Sequence, residues 1–108
     1  MTVRELSEKL DLTPVSLYDE NTEVSGCYIG DMLSVVMSKA NEGDLWLTVQ
    51  TNVNIIAVAV LTGASCIVTV EGMTPDEETI KKATAQGVNL FSSSLSAYEL
   101  AARVSEVI

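Results

Sequence analysis

Between Leu45 and Val70 the chain carries no charged residue, and no other feature restricts its fold so tightly. An apolar stretch of that length raises the question of a transmembrane helix, which takes about 20 predominantly apolar residues in a row. Thr48, Gln50, Thr51, Asn52 and Asn54 interrupt it, and the unbroken apolar run shrinks to Ile55–Leu61. The stretch divides instead into a buried strand, a polar turn and a buried helix. Leu45–Val49 reads as the strand, about Asn52 to Leu61 as a helix ended by Gly63, and Cys66–Val70 as a second buried strand, together a βαβ unit. The helix through Ile55–Leu61 is apolar on every side, so its second face needs cover. Either the N-terminal segment supplies it, or a second copy of the chain does, with Ala57 and Ala59 allowing close approach.

The alternation continues downstream. Thr74-Pro75-Asp76-Glu77 predicts a helix start, with Thr74 as N-cap, Pro75 at the first helical position and Glu77 completing a capping box. Its exposed face carries Glu77 with Lys81 and Glu78 with Lys82, its buried face Ile80 and Ala83, and Gly87 ends it. Val88–Phe91 follows as a short strand. Ser96-Ala97-Tyr98-Glu99 then caps a last helix with Leu100, Ala101, Val104 and Ile108 on one side. Consecutive strand-then-helix units with short connections imply parallel strands, so this part is an open α/β layer structure in the flavodoxin-like style.

Upstream, Thr2–Leu10 predicts an amphipathic helix with its own capping box at Thr2 and Glu5, and short strands near Val15 and Val24 should edge the sheet. Gly26 and Gly30 flank Cys27-Tyr28-Ile29, and backbone turns are the simplest use of both glycines. Asp31 is placed either to cap a helix carrying Met32, Val35, Val36 and Ala40 on one face or to contact a ligand, with capping the simpler reading. No linker or repeat divides the chain, so residues 1–108 are expected to form one domain, with a small three-layer architecture and a mostly parallel sheet.

Charge and residue types narrow the chemistry. Fifteen Asp and Glu against six Lys and Arg leave a net charge of −9, a field that repels phosphate backbones and anionic lipid surfaces. Neither nucleic acid nor membrane is an expected partner. The N-terminus lacks the apolar run and cleavage site of a signal peptide, which predicts a cytoplasmic protein. There is no histidine, and Cys27 and Cys66 stand alone in apolar surroundings, so no metal site or disulfide is expected and both cysteines read as small core hydrophobes. Neither GxGxxG nor GxxxxGK[ST] occurs, which disfavours the common nucleotide cradles, and no cofactor is expected.

Ligands of open parallel sheets settle where loops leave the carboxyl ends of the strands. That rim comprises Gln50, Thr51, Asn52 and Asn54 after one strand, Glu71, Gly72 and Thr74 after the next, and Ser92, Ser93 and Ser94 after the third. These small polar groups form either a neutral hydrogen-bonding cradle for a small polar ligand or merely turns and caps. A nucleophile in the Ser92-Ser93-Ser94 loop is a third reading, though no general base stands beside it.

The stretch from Gly43-Asp44-Leu45-Trp46-Leu47-Thr48 through Asn52-Val53-Asn54-Ile55-Ile56 to Gly72-Met73-Thr74-Pro75-Asp76 resembles the DRTGG domain family. Members of that family occur free-standing, beside CBS-domain pairs, in bacterial phosphotransacetylases and, in related form, ahead of the kinase domain of HPr kinase/phosphorylase. The resemblance implies an accessory regulatory α/β module, like the N-terminal domain of HPr kinase/phosphorylase, rather than an enzyme. Where the family has an Asp-Arg pair this chain has Thr51-Asn52, and the paired glycines become Glu71-Gly72. Losing the arginine removes a planar donor suited to anions. The expectation is a non-catalytic regulatory or ligand-sensing domain, acting as a homodimer on a regulated enzyme partner. The alternative is a ligand-free protein-interaction module.

Overall fold

Both strands of the charge-free stretch are buried at every residue, as strands covered on both faces must be. The computed structural model describes Met1–Ile108. Its elements run α1 (Val3–Lys9), β1 (Thr13–Ser16), β2 (Gly26–Ile29), α2 (Leu33–Lys39), β3 (Asp44–Thr48), α3 (Asn54–Thr62), β4 (Cys66–Thr69), α4 (Glu77–Gln86), β5 (Leu90–Ser92) and α5 (Ala97–Ser105). No helix is long and apolar enough to cross a membrane.

The five strands form one sheet in the order β1-β5-β4-β3-β2; β2 to β5 are parallel and β1 is antiparallel to β5. Alternate residues of each strand feed two separate cores. On one face Val36 of α2, Ile55, Ile56, Val58 and Ala59 of α3 and Ala83 of α4 pack on Trp46, Ile67 and Leu90. On the other, Val3 and Leu6 of α1 and Leu100 and Val104 of α5 pack on Leu45, Leu47, Cys66, Val68 and Phe91. Each fully buried valine, leucine, isoleucine or phenylalanine among them stabilises the fold by about 1.5–3 kcal/mol. Trp46 is buried with its indole N–H donating to the Gly30 carbonyl at 2.9 Å.

This is the expected three-layer α/β architecture, with one topological difference from the flavodoxin style. The parallel strands lie side by side in chain order, and α2, α3 and α4 all cover one face, while α1 and α5 cover the other. There is no point at which the winding reverses, and so no crevice between diverging crossovers.

Both N-terminal strands edge the sheet as expected, one on each side, but the second is Gly26–Ile29 rather than the region of Val24. Val24 is buried in the link before it, its amide donating to the Met1 carbonyl at 2.8 Å. The Thr2–Glu5 capping box is present and holds the Glu5 carboxylate below its usual range, through the Thr2 amide first and the Thr2 hydroxyl second.

Several local expectations are corrected. Helix α4 starts at Glu77 with Asp76, not Thr74, at the N-cap, because the Asp76 amide is drawn onto the Thr51 carbonyl at 3.0 Å and keeps Thr74-Pro75 in the preceding loop. Its buried face is Thr79 and Ala83, with Ile80 only partly covered, and of its two expected ion pairs only Glu77–Lys81 forms, at 4.0 Å. Asp31 does not cap α2, which begins after Met32 without a side-chain cap. On α2 only Val36 is buried, since this helix lies at the sheet margin with a helical neighbour on one side; Met32 and Val35 are exposed. Gly26 and Gly30 are not positive-φ turns. They make room: a Cβ on Gly26 would stand 2.6 Å from an Asp44 carboxylate oxygen, and one on Gly30 2.9 Å from the Tyr28 ring. Cys27 is exposed rather than in the core, while Cys66 is fully buried.

Candidate functional site

The carboxyl ends of β3, β4 and β5 are neighbours in the sheet, so the loops that leave them share one edge of the molecule. The sheet brings the three groups of expected rim residues together there and ties them to one another. Gly72 donates its amide to the Ser93 carbonyl at 2.9 Å and Glu71 to the Leu95 carbonyl at 2.8 Å. The Thr51 carbonyl accepts from the Asp76 amide at 3.0 Å and from the Thr79 hydroxyl at 2.7 Å. The loops after β4 and β5 therefore clamp each other, and the loop after β3 is stitched to the start of α4.

Most rim side chains serve this framework. Gln50 spans the gap to α2 with Nε2 on the Asp31 carbonyl at 3.0 Å, and its Oε1 accepts from Asn52 Nδ2 at 2.9 Å. The Asn52 side-chain oxygen in turn accepts the Asn54 amide at 3.0 Å. Ser93 is buried and turns the chain by accepting the Leu95 amide at 3.2 Å. Ser94 and Glu71 are exposed and Ser92 is partly buried; none of these three side chains makes a hydrogen bond to another residue. Asn54 points away from the shared edge and lines a groove of about 490 Å³ between α3 and α4 with Val53, Ala57, Glu78, Lys81, Lys82 and Ala85. No concavity of the molecule is lined by Gln50, Thr51, Asn52, Glu71, Gly72 or the three serines. The rim is a ledge.

What the ledge offers is backbone. The amides of Thr51, Asn52 and Val53 precede α3 and donate to no group of the protein. All three residues are partly accessible, and the positive end of the α3 dipole lies behind them. The ledge carries no arginine, in keeping with the replacement of the Asp-Arg pair by Thr51-Asn52.

Two features of the site take roles that the sequence did not assign them. Asp31, expected as a cap, reaches across from the end of β2 to accept the Thr48 hydroxyl and the Val49 amide, each at 2.9 Å, and fixes the exit of β3. Its only sequence signal was a carboxylate directly after an extended segment. Glu71 and Gly72 have φ of 60° and 69°, and the Met73 amide closes on the Val70 carbonyl at 3.0 Å, which makes a type I′ turn. Both central positions of such a turn need positive φ, which explains paired glycines there and makes Glu71 the exception.

The all-apolar helix α3 is covered by the sheet and by α2 and α4 on its flanks, not by the N-terminal segment, which lies across the sheet. Ala59 is buried, whereas Ala57, Val60 and Leu61 remain exposed, so of the two alanines only Ala57 faces outward. The Cys27 thiol, on the opposite face beside α5, is pushed up to about 11, by desolvation first and by the Asp44 carboxylate second. Burial raises the Cys66 thiol further, out of any working range.

Comparison with known proteins agrees with this geometry. The family model described as the DRTGG domain matches residues 5–107. No curated protein matches the chain. Among solved structures it is similar to the CBS and DRTGG domains of the regulatory region of Clostridium perfringens pyrophosphatase, crystallised with the activator diadenosine tetraphosphate. The TM-score is 0.72 at 12% sequence identity, over 95% of this chain and 45% of that one. At that identity the likeness is one of fold, and this chain spans under half the length of its neighbour.

Proposed function

The chain belongs to the DRTGG domain family, and from that membership and the strand-end ledge we propose that it is a non-catalytic regulatory domain that senses a small polar ligand and acts through a partner enzyme. The observation that carries this reading is the run of unpaired amides at Thr51, Asn52 and Val53 before α3. Three donors at a helix start favour a ligand with acceptor oxygens, which they would bind without a side-chain charge. Gln50, Ser94 and Glu71 border them on the ledge, and Gly72, Ser92 and Ser93 hold its floor. Nothing in the site proposes itself as a catalyst: the chain has no histidine, and the Ser93 oxygen is engaged by Leu95. Two free thiols fit a reducing, cytoplasmic setting, and a net charge of −9 argues against nucleic acid and membrane as partners. The domain works as a homodimer, a reading supported by the exposed apolar residues left on its outer helices and edge strand.

Thermal unfolding in the presence of nucleotides, phosphorylated metabolites and amino acids tests the sensor reading, with diadenosine tetraphosphate included because the solved neighbour was crystallised with it. A ligand at 100 times its Kd adds about 2.7 kcal/mol to the folded state. Val53→Pro removes one donor at a residue whose φ of −60° proline accepts. It should abolish the ligand shift while the circular dichroism spectrum stays unchanged. A full shift retained in Val53→Pro sinks the ledge as the binding site. No shift with any ligand class favours the second reading, a ligand-free interaction module, for which the exposed Val60 and Leu61 of α3 speak.

A further inference from the structure

At the amino ends of β4 and β5, opposite the ledge, the protein holds a cavity of about 290 Å³ between the loop after β1 and the ends of α3 and α4. Tyr18 and Asp19 line one side of it, and Ala59, Val60, Ala64 and Val88 make an apolar wall. Helix α3 stops there at Gly63 and α4 at Gly87, both in the left-handed conformation. The last three carbonyls of each helix, those of Val60, Leu61 and Thr62 and those of Thr84, Ala85 and Gln86, accept no hydrogen bond within the protein. Two negative helix ends therefore meet at one place. The other helices answer that pole with a cation: Lys9 stands in the last turn of α1, Lys39 in that of α2 and Arg103 in that of α5. Helices α3 and α4 have no basic residue in theirs, and no lysine or arginine lines the cavity. Carboxylates gather instead. Asp19 is exposed at the rim without an ion-pair partner, and the Glu42 side chain lies against Gly63. In a protein of net charge −9, this is a negative well that no cation of the chain offsets.

The rim of the cavity is held in place. Asn89, only 4% exposed, accepts the Tyr18 and Asp19 amides on Oδ1 at 2.8 and 3.0 Å and donates Nδ2 to the Asp19 carbonyl at 2.9 Å. The Asn21 amide donates to Asp19 Oδ1 at 3.0 Å and leaves Oδ2 free. The Tyr18 ring lies over Gly87, where a Cβ would stand 3.2 Å from three of its carbons, and the rest of the ring is open, since the residue is 72% exposed. An aromatic ring, a free carboxylate oxygen and two sets of carbonyls are thus presented together. A guanidinium matches them: it is planar, carries five donors for a carboxylate and carbonyls at once, and stacks on aromatic rings. The apolar wall suits an aliphatic stem, and the volume lies at the lower end of small-molecule sites, which begin near about 300 Å³, enough for one such group.

We propose that this cavity binds an alkylguanidinium ion, with Asp19 as its ion-pair partner, the free carbonyls at the ends of α3 and α4 as further acceptors and the Tyr18 ring stacked on its plane. Its source is a free small molecule or an arginine side chain of a partner protein. The site is independent of the ledge, which lies at the other end of the strands and offers donors rather than acceptors.

Titration of the isotope-labelled full chain with N-butylguanidinium, followed by amide NMR shifts, tests it. Millimolar N-butylguanidinium should move the amides of Asp19, Gly63 and Gly87. Asp19→Asn, which keeps the acceptor for Asn21 and loses the charge, should bind roughly tenfold or more weakly in an otherwise unchanged spectrum. Tyr18→Leu should bind roughly two- to five-fold more weakly. Butylammonium, which has no plane to stack, should bind more weakly than butylguanidinium. Acetyl-arginine methylamide binding as butylguanidinium does assigns the source to a partner's arginine, and free arginine binding where the blocked form fails assigns it to a small molecule; either result upholds the site. Unmoved amides at the cavity, or shifts scattered over the acidic surface, overturn it. Equal affinity in Asp19→Asn overturns the ion pair, and butylammonium binding as tightly as butylguanidinium overturns the guanidinium assignment.

Discussion

Gly72→Ala isolates a conformational cost. Gly72 has φ of 69° in the type I′ turn after β4, and a Cβ built on it meets nothing within 4 Å. The substitution therefore adds no clash and removes no contact. An L-residue in the left-handed region costs about 1–2 kcal/mol, and the smaller freedom of alanine in the unfolded chain returns about 0.4–1 kcal/mol. The net loss is about 1 kcal/mol. At about 2.1 cal/mol/K per residue, a chain of this size loses roughly 4 °C of melting temperature for that energy. Glu71, at φ of 60°, gives the reverse experiment. Glu71→Gly relieves about 1–2 kcal/mol of strain and costs about 0.5–1 kcal/mol of backbone entropy, a net gain of about 0.5 kcal/mol or roughly 2 °C. Gly72→Asn should lose less than Gly72→Ala, because asparagine tolerates this conformation. Melting followed by circular dichroism decides it. An unchanged melting temperature in Gly72→Ala refutes the turn argument, and a loss of roughly 10 °C or more would mean that contacts, not dihedral strain, set the cost.

Asp31→Ala should cost about 2 kcal/mol in urea denaturation, because it strips a charged acceptor from the Val49 amide and the buried Thr48 hydroxyl; Asp31→Asn should recover more than half, and an equal loss in both would show that the charge alone matters. Asn89→Ala should cost about 2–3 kcal/mol, since this buried side chain accepts the Tyr18 and Asp19 amides and donates to the Asp19 and Ser65 carbonyls. With its thiol raised to about 11, Cys27 should react with iodoacetamide at pH 8 roughly ten-fold more slowly than a free thiol, the smaller thiolate fraction being partly offset by the greater nucleophilicity of a more basic thiolate, and a rate equal to that of cysteine would refute its desolvation. Cys66 is raised further, so the native state favours its neutral form; that stability is complete below the ordinary value of 9.0 and drains away as pH rises above it. Urea midpoints measured from pH 8 to 10 should fall less steeply in Cys66→Ala than in the wild type, and parallel slopes would contradict this.

The element pattern was legible because it is written in local chemistry. Capping boxes at Thr2 and Ser96 and left-handed stops at Gly63 and Gly87 are short-range devices, and each stands where the residues predicted. The start of α4 was misread for a related reason: Thr74-Pro75 satisfies the local rule, but a long-range bond from Asp76 to Thr51 outweighs it. Strand order was less accessible. Consecutive strand-helix units are compatible with winding in either direction, and only the placement of α2, α3 and α4 on one face settles the consecutive order. The apolar character of α3 had the same limit, since neighbours on both flanks can bury a helix that reads as unsupported.

The residues of the ledge were nameable in advance because the carboxyl ends of parallel strands follow from the strand pattern alone. Their use was not. Side chains such as Gln50, Asn52 and Ser93 look like ligand donors, yet each is committed to holding a loop, and beside the side chains of Ser92, Ser94 and Glu71 the groups left free are amides that every sequence possesses. Consecutive winding removes the crevice in which an open α/β sheet ordinarily encloses its ligand. A ligand on this ledge therefore keeps much of its surface in water, and its affinity depends on the few donors it meets. A second surface closing over the ledge would change that balance by excluding water from those same hydrogen bonds. Ligand and partner would then bind more tightly together than apart, which is the coupling a regulatory domain requires.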